Sequence, residues 1–171
     1  LEGMESENRQ VLHTACRDLF SGEPAEPKAS AAAHGELDKL EAFLAALDQG
    51  KICSAAGRPF TSLIHLGIGG SDLGPRAIYQ ALRTFTVRDR RVHHLANVDP
   101  DDAAAVLAGL NLETTLVCVV SKSGTTLETL ANEQLVATAF TRQGLDPKNH
   151  FIAVTGKGSP MDDPAKYLRS F

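Results

Sequence analysis

The chain reads as an α/β domain, a mostly parallel sheet between layers of helix, preceded by further helices. Three observations predict this. Short runs rich in Val, Ile and Leu recur between residues 61 and 156, helix-like segments separate them, and glycines and hydroxyl side chains gather where each run ends. Strands that alternate with helices pair in parallel through right-handed crossovers. Strands that are apolar without a break suit a sheet covered on both faces.

Residues 5–20, ESENRQVLHTACRDLF, predict a first helix with Val11, Leu12, Ala15, Leu19 and Phe20 near one stripe. SGEPAEPKAS (21–30) follows, and its two prolines with Gly and Ser read as a helix-breaking linker. GELDKLEAFLAALDQG (35–50) predicts a second helix, with Leu37, Leu40, Leu44 and Leu47 on one face and Gly50 as its stop. Residues 1–50 are therefore expected to form a helical segment packed on a domain spanning 51–171. In that domain TSLIHLG (61–67), VHHLANV (92–98), TLVCVV (115–120) and HFIAVTG (150–156) are the strands. PRAIYQALR, PDDAAAVLAGL and LETLANEQLVATAFTRQ are the helices between them. Pro75 is expected in the first turn of its helix, Asp72 as that helix's cap, and Asp99, Asp101 and Asp102 as capping residues around Pro100.

Composition narrows the function. A length of 171 residues fits one domain, and 43% apolar with 22% charged residues are the proportions of a globular chain. A net charge of -4 leaves no basic surplus to neutralise a nucleic-acid backbone. Cys16, Cys53 and Cys118 are odd in number and widely spaced, which suggests neither a disulfide framework nor a zinc site. Cys118, in an apolar run, is expected in the core. No run approaches the roughly 18 apolar residues of a membrane span, and LEGMESENRQ lacks the apolar stretch of a signal peptide. A cytoplasmic protein, with no membrane and no nucleic-acid partner, is the expectation.

The polar loops carry the chemistry. GIGGSD, NVDPDD, SKSGTT and TGKGSP follow the four strands in turn, and ligands of open α/β sheets bind outside the carboxyl ends of the strands. Turn and cap residues are needed in any βα loop, so enrichment alone is not a site. SKSGTT (121–126) goes further. Thr125 and Glu128 fit a capping box, which leaves Ser121, Lys122, Ser123, Gly124 and Thr126 unexplained. A helix amino terminus offers unpaired N–H groups and partial positive charge. Gly124 permits close backbone approach, the hydroxyls can donate, and Lys122 adds charge. Together they suit a phosphate monoester. GIGGSDLGP is not a dinucleotide fingerprint, because Asp72 stands where the third glycine belongs. GKGS (156–159) is not a Walker loop, because Phe151 stands at its first glycine. The strand histidines His65, His93 and His94 read as hydrogen-bonded structural residues, and no acid/base pair stands out.

These motifs resemble those of the phosphoglucose isomerase family. ENRQVLHTACRD is similar to its early helix, HLGIGGSDLGP to its glycine-rich signature, and NVDPDDAAAVLAGLNLETTLVCVVSKSGTTLET to the stretch leading into its phosphate loop. Several motifs in order are more specific than the phosphate loop alone, which marks only the wider sugar-isomerase (SIS) class. The resemblance implies a SIS-type three-layer domain. It also implies interconversion of glucose 6-phosphate and fructose 6-phosphate through ring opening and an enediol(ate), with no metal or organic cofactor. In such a reaction a histidine and a lysine open the ring, a glutamate moves a proton between C2 and C1, and an arginine stabilises the enediolate. By motif, Ser121, Lys122, Ser123, Gly124, Thr125 and Thr126 form the phosphate loop. Gly70 and Ser71 contact the sugar phosphate, and Glu128 matches a glutamate that orients the ring-opening histidine. Many members carry Thr and an aromatic residue in place of Ser123 and Gly124.

The resemblance covers the first of two SIS domains and stops before the segments bearing the arginine, the base, the histidine and the lysine. The chain is therefore expected to be a fragment of a longer, homodimeric enzyme and to be inactive alone. Two other readings share the same loop. One is a non-catalytic SIS module that regulates by binding sugar phosphates, and the other is an aminosugar-phosphate isomerase or synthase domain. The downstream reading frame separates the first, and preference for glucose over glucosamine 6-phosphate argues against the second.

Overall fold

The structure, a computed structural model, describes residues 11–86 and 90–171. It divides into two units, Leu1–Ala45 and Ala46–Phe171.

The described part of the first unit holds a single 3-10 turn, Ala15–Arg17, and most of helix α1, Pro27–Asp48. The helix expected over 5–20 is thus corrected. Residues 5–10 lie outside the described residues, and 11–20 form no continuous helix, with Val11 and Phe20 exposed. Asp18 ends the turn. Its carboxylate accepts the Ala25 N–H at 3.1 Å and its carbonyl the Ser30 hydroxyl at 2.9 Å, local bonds that compete with helical ones. α1 starts eight residues earlier than expected. Pro27 is its first residue, where no N–H is needed, and the alanines that follow are the strongest helix formers. Leu37, Leu40 and Leu44, expected to be buried, are exposed. Among the described residues of this unit, one helix and one turn make no second layer to receive an apolar stripe.

The second unit is built on five parallel strands: β1 (Ser62–Leu66), β2 (Arg91–Leu95), β3 (Thr115–Ser121), β4 (Phe151–Thr155) and β5 (Arg169–Ser170). Their order is β2-β1-β3-β4-β5. The expected strands are all present, and β5 is added as a two-residue edge. Helices α2 (Gly70–Ala81), α3 (Pro100–Ala108) and α4 (Leu127–Arg142) connect them. Successive strand residues point to opposite faces. Ile64, Leu66, Leu95, Val117, Val119, Phe151 and Ala153 therefore share one face, where Ala103 of α3 and Val136 and Phe140 of α4 complete the core. His65, His94, Cys118 and Ile152 share the other face, on the side of α2. Cys118 is buried as expected, and burial pushes its thiol up to about 12.

Two buried polar groups tie later chain to this frame. Glu133, on α4 and 3% exposed, accepts the Tyr167 hydroxyl at 2.6 Å and pairs with Lys166 Nζ at 3.0 Å. Burial first, then the neighbouring carboxylate, raises the Tyr167 pKa, so the phenol stays a donor. Tyr167→Phe leaves a buried carboxylate oxygen without its donor. It should lower unfolding free energy by about 1–3 kcal/mol in urea denaturation.

His150, flanked by Phe60 and Phe140 at ring-centroid distances of 5.5 and 5.0 Å, donates from Nδ1 to the Thr115 carbonyl at 2.9 Å. Burial lowers its pKa, as it does that of His65. Folded imidazoles with lowered pKa bind fewer protons than unfolded ones below about pH 6.5. Their contribution is complete above that pH and erodes as pH falls through it toward the folded pKa. The denaturation midpoint should accordingly fall between pH 7.5 and 5.5, and His150→Gln, which still carries a donor, should flatten that dependence.

Candidate functional site

From β1 the chain crosses by α2 to β2 on one side, then returns past β1 to β3 on its other side. The carboxyl ends of β1 and β3 are therefore adjacent, with Leu66 beside Val119, and the chain leaves them toward opposite faces. A crevice at such a switch point is the usual ligand position in open α/β sheets. The loops that open there are 67–70 and 122–126, so the fold brings Gly70 and Ser71 to the strand end beside the one that bears Ser121 to Thr126.

Both helices that leave this crevice start without a side-chain cap. Gly69, with φ 57°, precedes α2 and has no side chain, and Thr126 precedes α4 without a cap bond. Helix α3, one loop away, is capped as expected, Asp99 accepting the Asp101 N–H at 2.9 Å. The capping box expected from Thr125 and Glu128 is corrected. The cap position is Thr126, and its hydroxyl is drawn instead to Ser121, Oγ1 to Oγ 2.9 Å. Glu128 is exposed in the first turn of α4.

Within the loop, Ser121 is 1% exposed and its Oγ also accepts the Gly124 N–H at 3.2 Å. With that lone pair used, Ser121 can donate to Thr126 and leave the half-buried Thr126 hydroxyl a hydrogen for a ligand. The Ser123 Oγ accepts the Thr125 N–H at 3.2 Å and its hydroxyl at 2.9 Å. Ser123, Thr125 and Lys122 are exposed. Gly124 has φ 68°, and a Cβ there would lie 2.8 Å from Ser159 Oγ and 3.1 Å from Met161 N. The glycine therefore serves the fit of a second loop as well as the turn.

That second loop is TGKGSP, whose role sequence reasoning missed. The Thr155 hydroxyl donates to the Ser121 carbonyl at 2.7 Å and pairs with Ser159 Oγ at 2.7 Å, and the Gly156 N–H donates to the Lys122 carbonyl at 3.0 Å. A Cβ at Gly156 would meet that carbonyl at 2.8 Å. Thr155, Gly156 and Ser159 thus clamp the 121–126 backbone from the β4 side. The adjacent glycines and hydroxyls of 155–159 were the only signal available. The NVDPDD loop is tied in as well, since Asn132 of α4 donates to the Asn97 carbonyl at 2.6 Å.

The glycine-rich loop is held from beneath. Helix α2 begins at Gly70, so Pro75 falls inside it rather than in its first turn, and Asp72 is inside too. Asp72 does not cap. It is buried, with Oδ1 2.9 Å from His94 Nδ1 and Oδ2 2.9 Å from Arg76 Nε. His65 donates from Nε2 to the Ser71 carbonyl at 2.8 Å. Its pKa is lowered chiefly by burial, against the Ser71 bond, with His94 and Arg76 adding to the lowering. A Cβ at Gly67 would lie 2.7 Å from the same carbonyl, which is why that position admits only glycine.

His65, Asp72 and His94 bring ligand-type atoms within 4.8 Å of one another. Their bonds to Ser71 and to each other already engage them, and the Arg76 guanidinium lies against the carboxylate a cation would need. The arrangement suits a hydrogen-bond network better than a metal centre.

Comparison with known proteins agrees with the geometry. The family model for phosphoglucose isomerase matches residues 4–162. Glucose-6-phosphate isomerases of Desulfotalea psychrophila and Protochlamydia amoebophila are 55% and 49% identical over 171 and 175 residues, covering all of this chain and 32% and 31% of theirs. A crystal structure of the Chlamydia trachomatis glucose-6-phosphate isomerase superposes with a TM-score of 0.87 at 43% identity, over 99% of this chain and 32% of that one. The chain therefore spans about a third of the length of these relatives. With its sheet order, its SIS-type α/β fold and a match through both loops of the switch crevice, the chain belongs to the phosphoglucose isomerase family.

Proposed function

We propose that this chain is the sugar-phosphate-binding part of a glucose-6-phosphate isomerase, which interconverts glucose 6-phosphate and fructose 6-phosphate through ring opening and enediol(ate) proton transfer. The observation that carries the reading is the pair of uncapped helix starts beside one switch-point crevice. The first-turn N–H groups of α4 and the positive dipole ends of both helices favour an anion. The phosphate is held by the 121–126 loop, with Thr126 and Ser123 donating, Thr125 fixing Ser123, Gly124 shaping the turn, Lys122 adding charge and Ser121 aligning Thr126. The sugar lies toward Gly70 and Ser71. Glu128, exposed at the start of α4, orients a ring-opening histidine supplied by polypeptide outside this chain.

The reaction asks for more than this chain offers. A proton moved between carbons needs a base within hydrogen-bond reach of the carbon acid. The buried Glu133 is committed to Tyr167 and Lys166, and His65 to Ser71. The acid, base and arginine come from the part of the relatives' length that this chain does not match, and the complete enzyme works as a cytoplasmic homodimer. The chain alone binds and does not turn over. A coupled assay of the purified 171-residue chain should show no isomerisation above blank, and sustained turnover free of contaminating isomerase would refute this.

Binding is tested at the loop. Thr126→Val and Ser121→Ala should each weaken glucose 6-phosphate and inorganic phosphate by about 1.5–3 kcal/mol in titration calorimetry, with far-UV circular dichroism unchanged. Parent-like affinity in both variants would reduce the loop to a helix start.

A further inference from the structure

Pro75 lies inside α2. A proline there has no N–H for the carbonyl four residues earlier, and that carbonyl belongs to Ser71. The bond that proline cannot supply comes from the sheet, where His65 Nε2 lies 2.8 Å from Ser71 O. A carbonyl only accepts, so Nε2 carries the hydrogen. The next residue is held in the same manner, His94 Nδ1 lying 2.9 Å from Asp72 Oδ1. His65 and His94 are register partners on β1 and β2, with ring centroids 5.2 Å apart. Two adjacent strand histidines thus grip two consecutive residues in the first turn of α2.

We propose that His65 is a positioning residue for the Gly70–Ser71 turn, replacing the hydrogen bond that Pro75 removes and so fixing the orientation of that turn. The inference rests on the sugar-phosphate reading of that turn, and it assigns His65 no contact with substrate. The surroundings suit the role. From α2 the imidazole faces Asp72 and Arg76 and from β2 His94, whose ring Tyr79 approaches at 5.9 Å, while Cys118 is its register partner on β3. Burial with a guanidinium and a second imidazole nearby favours the neutral ring, whose single N–H is then directed at Ser71.

The test uses the 171-residue chain with glucose 6-phosphate and inorganic phosphate as separate probes, and it reads amide shifts and exchange of Gly70 to Leu73 by NMR. His65→Leu should speed exchange in that turn and weaken glucose 6-phosphate by about three- to tenfold. Phosphate affinity, set by the 121–126 loop, should change much less. His65→Gln keeps an N–H of similar reach and should restore both readouts. Pro75→Ala should rescue His65→Leu, because the alanine N–H can reach Ser71 O through the helix itself. That double variant also keeps the test open if His65→Leu alone folds poorly. A turn unchanged in His65→Leu would overturn the inference, as would a loosened turn with full sugar-phosphate affinity or a failed rescue by both Gln and Pro75→Ala. Each of these leaves the phosphate site standing if Thr126→Val still weakens phosphate. A parent chain that binds neither probe would overturn the proposed function and this inference together.

Discussion

The chain leaves β1 toward one edge of the sheet and returns to β3 on its other side, and the carboxyl edge is arranged by that reversal. Right-handed crossovers put consecutive connections on opposite faces when the winding direction changes. The helix before the reversal, α2, therefore covers the His65 face, and the two after it, α3 and α4, cover the Ile64 face. From the ends of β1 and β3 the chain departs through loops 67–69 and 122–126 toward opposite faces. A chain wound in one direction would have closed the gap between those ends with a crossover.

What occupies the gap follows from hydrogen-bond accounting. Each helix begins with N–H groups that lack internal partners. Before α3 the chain supplies a side chain, Asp99, as Asn111 and Asp146 do before two 3-10 turns. At the crevice it does not. Gly69 has nothing to offer, and Thr126, a residue type well suited to capping, turns its hydroxyl to Ser121. Ser121 is fixed in turn by the Gly124 N–H, and the loop backbone by Thr155 and Gly156. The Ser121 and Thr126 hydroxyls are thereby held rigid beside the start of α4, and groups already held lose little entropy on binding.

The strands were legible in the sequence because short runs rich in Val, Ile and Leu, separated by helix-like segments and polar loops, have few other solutions. The loops of the site were legible because turn chemistry left residues over, Ser121 and Thr126 above all. What stayed hidden depends on partners distant in sequence. Thr125 looked like the cap because the capping-box spacing is local, while the bond that displaces it comes from the end of β3. The start of α2 at Gly70 was hidden because Pro75 signals a first turn, and the partner of the Ser71 carbonyl four residues before it, His65, comes from β1. The start of α1 at Pro27 was missed for the converse reason, that a proline read as a breaker is also a good first residue. β5 is two residues long and is defined by its pairing to β4 alone.

The two faces of the sheet are built on different physics. Beneath α3 and α4 the strand contacts are mainly apolar and tolerate volume-conserving exchange, with Glu133 and His150 as bonded polar exceptions. Beneath α2 the chain buries two imidazoles and a carboxylate and sets a guanidinium against them. Such groups add little net stability over apolar side chains of the same size, because desolvation offsets their attraction. Hydrogen bonds are directional in a way that apolar packing is not. A leucine at position 65 could fill the space, but it could not specify the direction of the Ser71 carbonyl. The polar layer therefore sits where direction matters, under the turn that carries Gly70 and Ser71, and the apolar layer sits where only cohesion is required.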